Sequence, residues 1–147
     1  NFSVNPEAAA WVLNHGKNIS ILTGNNTLEP SYLPKEEFYT AMGRNEAGRY
    51  LAEKLGYRFD VKEMRNGEAV SYCWDVVASV YLLHPELFVD APSFCYVTEK
   101  GMQSGWLGVT KQAPDTCLLN LPRVKDLEAY RKEMYGGWLD LKLGKRP

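Results

Sequence analysis

Trp74 and Asp75 are the pair with the most chemistry within reach. They stand where a long polar segment, Arg58 to Cys73, meets an apolar run that opens at Val76. An aspartate at the start of an apolar helix has two readings. It is an N-cap that accepts the first free backbone N–H groups, or a carboxylate held on a rigid helix start as a ligand for a hard cation. The adjacent indole is likewise either core or a flat surface on which a planar ligand stacks. Histidine, the usual acid or base near neutral pH, occurs only twice. His15 closes a helix and His84 precedes Pro85, so both read as polar rings at helix C-termini, where the macrodipole favours them. The chain contains no Gly-x-Ser-x-Gly, no Gly-rich phosphate loop and no HExxH. Cys73, Cys95 and Cys117 have no metal-ligand spacing, and read as free thiols of a reducing compartment, which favours the cytoplasm. Sequons at Asn1, Asn18 and Asn25 leave secretion open.

The chain that positions these groups has 147 residues, 17 Lys+Arg against 18 Asp+Glu, and 45% apolar residues. Those are the proportions of a soluble globular domain. A net charge near zero supplies no field for phosphate backbones or acidic lipid, so nucleic acid is not an expected partner. The longest apolar stretches, Ala8 to Leu13 and Val76 to Leu83, fall well short of the roughly 20 residues that span a bilayer.

Local signals predict the elements. Asn5-Pro6-Glu7 reads as N-cap, first-turn proline and first-turn acid of a helix that His15-Gly16 closes. Ile19 to Leu22 reads as a short buried strand, and Phe2 to Val4 as the tail of a preceding one, which would make a βαβ unit. Thr27 to Pro34 reads as a connection, Lys35 to Met42 and Asn45 to Leu55 as helices with Gly43 and Gly56 at their exits, and Arg58 to Cys73 as the longest loop. The run from Asp75 to Leu83 predicts a helix buried on most sides. Ser93 to Thr98, Trp106 to Thr110 and Cys117 to Leu121 alternate like antiparallel or edge strands, and a terminal helix is expected from about Lys125 to Tyr135.

Two segments carry a family resemblance. Asn1-Phe2-Ser3-Val4-Asn5-Pro6-Glu7-Ala8-Ala9 resembles the nucleoside hydrolase segment in which Glu-aromatic-Asn is followed by a short strand and then by Asp-Pro-Glu-Ala-Ala on a helix. About 65 residues later, Ser71-Tyr72-Cys73-Trp74-Asp75-Val76-Val77-Ala78 and Leu82-Leu83-His84-Pro85-Glu86-Leu87-Phe88 resemble the later site segment, in which a carboxylate opens a helix that ends in Pro-Glu-Leu-Phe. The family is that of the inosine-uridine preferring nucleoside hydrolases. Trp-Asp, where most members have His-Asp, is similar to the purine-specific inosine-adenosine-guanosine branch.

The resemblance implies an α/β fold with a mostly parallel central sheet flanked by helices. Residues 1–147 would be the C-terminal part of a single domain. It implies hydrolysis of the N-glycosidic bond of purine ribonucleosides with Ca²⁺. By the same resemblance Asp75 is a metal ligand, Asn1 a hydrogen-bond partner of the ribose, and Trp74 the ring that stacks on the base. The segment Arg58 to Cys73 would close over the purine, with Tyr72 and Arg65 as further contacts. The family's Asp-x-Asp-x-x-x-Asp-Asp cluster has no counterpart in these residues, so the remaining Ca²⁺ ligands are expected from an N-terminal portion. The 147 residues alone are accordingly expected to be inactive. Homodimers or homotetramers are what the resemblance implies for assembly. The alternative expectation is a non-catalytic nucleoside- or ribose-binding protein of the same fold.

Overall fold

The structure, a computed structural model, describes residues 1–60 and 64–144. The helices are α1 (Pro6–His15), α2 (Gly24–Ser31), α3 (Lys35–Met42), α4 (Glu46–Leu55), α5 (Trp74–Leu83), α6 (Glu99–Gln103) and α7 (Leu127–Leu139). The strands are β1 (Tyr32–Pro34), β2 (Met64–Arg65), β3 (Glu68–Tyr72), β4 (Phe88–Val89), β5 (Pro92–Tyr96), β6 (Gly108–Thr110), β7 (Cys117–Asn120) and β8 (Arg123–Val124). The protein is thus a mixed helix and strand structure. The chain divides into two compact units, residues 1–26 with 89–123 and residues 27–88 with 124–147. None of the described helices is long and apolar enough to cross a membrane.

In the first unit, Asn5 caps α1 by accepting the Ala8 N–H at 3.0 Å, with Pro6 at the first helical position. The sheet order is β6-β5-β7, with Cys95 opposite both Val109 and Cys117 in antiparallel register. Leu13 of α1, Met102 of α6 and Cys95, Leu119 and Leu121 form its core, with Val97 beside them. Such burial of apolar area, at roughly 25 cal/mol per Å², is the main force that holds short strands of this kind together. Asn120 ties the edge: its Oδ1 accepts the Ala91 N–H at 2.8 Å while its Nδ2 donates to Asp90 at 2.7 Å.

The second unit is built on the antiparallel sheet β1-β3-β2 with α3, α4, α5 and α7. Phe38 is fully buried, its ring centroid 5.3 Å from Phe59 and 6.3 Å from Trp138. Helix α4 is capped by Asn45, whose Oδ1 accepts the Gly48 N–H at 2.8 Å and whose Nδ2 donates to the Leu139 carbonyl at the same distance. A Cβ on Gly48 would lie 2.2 Å from the Met42 carbonyl oxygen, so only glycine lets α4 approach α3 this closely. Glu37 and Arg131 join α3 to α7 through a 2.5 Å charged contact.

Several expectations are corrected. Both three-stranded sheets are antiparallel, and the parallel pairing seen among the described residues is a single bridge between Ser20 and Asn120. A mostly parallel central sheet is therefore not what these strands build. The reason is visible at the start: Phe2–Val4 forms a 3-10 turn, not a strand, because the Val4 N–H folds back onto the Asn1 carbonyl just before the Asn5 cap. Among the described residues no strand precedes α1, so the βαβ unit expected from Phe2–Val4, α1 and Ile19–Leu22 does not form. Ile19 to Leu22 is correspondingly one bridge long. Thr27 to Pro34 is not a connection, since it holds most of α2, with Pro30 in its last turn, and all of β1.

The polar segment Arg58 to Cys73 is not a loop. It contains the end of the 3-10 turn Gly56–Phe59 and the hairpin β2–β3, while residues 61–63 of it lie outside the described residues. Asn66 and Gly67 at the hairpin's tip have φ of 52° and 82°, the backbone that an Asn-Gly turn of this type requires. Helix α5 is not buried on most sides. Val77 and Val80 are buried, but Leu82 and Leu83 are 81% and 72% exposed. Helix α7 passes Tyr135 and continues to Leu139, because its C-terminal residues pack on the second unit's core through Trp138.

The second unit also buries two tyrosine hydroxyls, Tyr130 and Tyr135, without a hydrogen-bond partner among the described residues. Burial pushes both phenols well above their ordinary value near 10. The unfolded chain therefore releases these protons at a lower pH than the folded one does. Stability contributed by keeping them neutral is complete below about pH 10 and is lost as pH rises above it. The midpoint of urea unfolding is expected to fall between about pH 9.5 and 11, more steeply than in a Tyr130→Phe, Tyr135→Phe double variant. Equal slopes in the two proteins would show that these phenols ionise freely in the folded state.

Candidate functional site

The functional side chains of the second unit collect where β3 ends and α5 begins. Tyr72 is the last residue of β3 and Trp74 the first of α5, with Cys73 between them as the cap residue. The Cys73 N–H donates to the Ser31 carbonyl at 2.8 Å, which fixes the junction to the end of α2. Alternation across so short a joint puts positions 72 and 74 on one side. Their rings stack with centroids 5.3 Å apart and planes 8° from parallel. Such offset stacking favours a pair by about 0.5 to 1.5 kcal/mol beyond its buried area. Cys73 faces the other way and is half-buried; burial raises its thiol pKa, with Arg58 pulling weakly in the opposite direction.

Arg58 fastens the strand end. Its Nη2 donates to the Tyr72 carbonyl at 2.6 Å and its Nε to Ser71 Oγ at 3.3 Å. On β1, Tyr32 stands directly opposite Tyr72 in register, with ring centroids 6.3 Å apart. The Arg65 guanidinium lies over the Tyr32 ring at 4.6 Å and pairs with Glu29. Hydrogen bonding to Glu29 is the main reason that Arg65 holds its proton more tightly than usual. Arg65, Tyr32, Tyr72 and Trp74 thus form a continuous row of cation and rings. Trp74 ends the row and is 43% exposed.

No family model, no curated protein and no solved structure matches this chain. Its site is therefore read from its own geometry.

Asp75 is not the cap of α5. The cap position belongs to Cys73, and Asp75 is the second helical residue, exposed, beside the open end of the ring row. Of the two readings of this carboxylate, the structural one loses its basis, because the backbone has already turned into the helix before Asp75 is reached. Among the described residues no group of three or more His, Cys, Asp and Glu side chains comes together as a metal site. Asp75 offers two oxygens where Ca²⁺ takes six to eight.

The structure brings together four of the five residues singled out in the sequence: Arg65, Tyr72, Trp74 and Asp75. Asn1 belongs to the first unit, where it is exposed and borders a cavity of about 740 Å³. The two histidines hold the local positions expected of helix ends. His15 Nδ1 lies 2.8 Å from the Trp11 carbonyl and His84 Nδ1 lies 3.2 Å from Glu86. Three contributors escaped sequence reasoning: Tyr32, Glu29 and Arg58. For Tyr32 the missed signal was Asn66-Gly67, which marks a hairpin and so implies a sheet that needs a further strand. For Glu29 and Arg58 no sequence signal exists, because their partners are 36 and 14 residues away.

Proposed function

We propose that this chain supplies the base-stacking wall and one metal ligand of a Ca²⁺-dependent purine nucleoside hydrolase. The observation that carries the reading is the Trp74 ring, stacked on Tyr72 and half open to solvent, with the exposed carboxylate of Asp75 at the next position. Tyr72 holds one side of the indole, so the ring presents a preset plane to a purine. A hydrolase that separates base from ribose must stabilise a departing purine, and stacking raises the basicity of a ring nitrogen without a side-chain acid beside it. Bases stacked on aromatic side chains gain about 1 to 3 kcal/mol each. Arg65, paired with Glu29 and lying over Tyr32, closes the far end of the same row and braces the ring on which Tyr72 rests.

Asp75 fits the chemistry of a Ca²⁺ ligand but is a single one. On this proposal the other ligands come from residues outside these 147. When bound, the ion would supply the positive charge that orients ribose hydroxyls and makes water a better nucleophile.

The test uses the complete protein that contains this chain. Hypoxanthine release from inosine is expected with Ca²⁺ and not after chelation. Trp74→Ala is expected to lower kcat/KM about 5- to 150-fold, the equivalent of losing one stacked base, while Trp74→Phe keeps most of the activity. Unchanged turnover in Trp74→Ala would refute the stacking role. Saturable inosine binding with no release would point to the non-catalytic nucleoside-binding alternative.

A further inference from the structure

The first unit holds a second constellation that this function does not use. Helix α6 ends in a Schellman turn: the Gly105 N–H donates to the Met102 carbonyl at 3.0 Å and the Trp106 N–H to the Gly101 carbonyl at 2.8 Å. Gly105, at φ +70°, supplies the left-handed residue that this motif needs. The turn sends Trp106 back over its own backbone. A Cβ on Gly108 would lie 2.6 Å from the indole Cη2 and 2.9 Å from Cζ3, and one on Gly101 would lie 3.8 Å from Cε3. Gly108 therefore leaves room for the ring to lie flat against the chain, with Gly101 in ordinary contact beneath its edge. The indole is nonetheless 62% exposed. A large apolar ring that is clamped on one side and open on the other is preorganised for stacking, since little of its freedom remains to be lost on binding.

This ring borders the cavity of about 740 Å³ in the first unit, a volume within the range of small-molecule sites. Ile21, Leu107 and Val109 supply apolar wall, and Asn25 and Ser93 supply polar groups. Arg123 is the charged residue of the lining, which holds no aspartate or glutamate. It is exposed, and its guanidinium makes no ion pair or hydrogen bond with the described residues. An unneutralised guanidinium beside a preset indole selects for negative charge joined to a flat ring.

We propose that the first unit carries a separate ligand site, between Trp106 and Arg123, for a small planar aromatic anion. The ring of the ligand stacks on Trp106 and its carboxylate or phosphate group is held by Arg123. Asn1 borders the same cavity, so the test relies on Trp106 and Arg123, which the hydrolase reading does not use. Either proposal can then fail without the other.

The probe is 2-naphthoate, titrated into the ¹⁵N-labelled chain while the indole N–H resonance of Trp106 is followed. A saturable shift is expected with half-saturation below about 1 mM, and the neutral 2-naphthamide is expected to bind at least about 5-fold more weakly. Arg123→Gln, a change at an exposed position, is expected to erase the preference for the anion. Trp106→Leu retains apolar cover over Gly101 and Gly108 and is expected to weaken naphthoate by at least about 5-fold. The proposal is overturned by a shift that fails to saturate at about 10 mM, by equal affinities for acid and amide, or by wild-type affinity in either variant.

Discussion

If the proposed hydrolase reading holds, replacing Asp75 by alanine in the complete protein is expected to lower Ca²⁺-dependent inosine turnover by at least about 100-fold, because even residues behind a metal's direct ligands cost 10- to 100-fold when removed. Stability is expected to change little. Were Asp75 the cap of α5, its loss would cost about 0.5 to 2 kcal/mol. The cap residue is Cys73, however, and Asp75 is exposed at the second helical position. All that remains is its interaction with the helix dipole, about 0.3 to 1 kcal/mol at an exposed site. Activity and stability therefore separate, which is what distinguishes a ligand from a structural acid. Steady-state rates across a Ca²⁺ titration, together with thermal unfolding of the same preparations, measure both. A variant that melts early but turns over normally would remove Asp75 from the site.

Phe38→Ala is expected to destabilise the second unit by about 3 to 5 kcal/mol, the usual cost of deleting a buried phenyl ring and leaving a cavity. Phe38 is fully buried, edge-on to Tyr39 at 5.4 Å and close to Phe59 and Trp138. These partners come from α3, from the 3-10 turn at Gly56–Phe59 and from α7, so one ring joins three segments that are distant in sequence. A loss of this size is a large part of the 5 to 15 kcal/mol by which domains are stable. Phe38→Leu retains most of the volume and is expected to cost much less. Urea unfolding at neutral pH measures both. A cost below about 1 kcal/mol for Phe38→Ala would show that the site collapses without the ring, and that the cluster does not hold the unit together.

Legibility in the sequence followed the range of the interaction. Asn5 and Asn45 announce α1 and α4, and Asp126 accepts from the Glu128 and Ala129 N–H groups at the start of α7. These caps act within three residues, so they can be read from neighbours alone. Helix α3 spans Lys35–Met42, as its first-turn acids and the following Gly43 imply. The strands β6 and β7 lie within the alternating segments expected to form them, and β5 overlaps its own but starts one residue earlier, at Pro92. Of the site, Trp74 and Asp75 were legible as candidates from the junction of a polar segment with an apolar helix, whereas Arg65 and Tyr72 came forward only through the family resemblance.

The sequence by itself determined where α1, α3 and α4 start, that glycine follows each of them, and which residues could do chemistry. It could not determine which faces would be covered. The apolar circumference of α5 looks like a buried helix, yet Leu82 and Leu83 are exposed, because periodicity records what a face is made of and not what packs on it. The tertiary structure alone set Tyr32 opposite Tyr72, joined Arg65 to Glu29 and moved the cap from Asp75 to Cys73. Strand register and the entry angle of a helix depend on contacts made tens of residues away. Those contacts convert Trp74 from a generic aromatic residue into a stacked, half-open surface, and leave Asp75 exposed at the second position of α5.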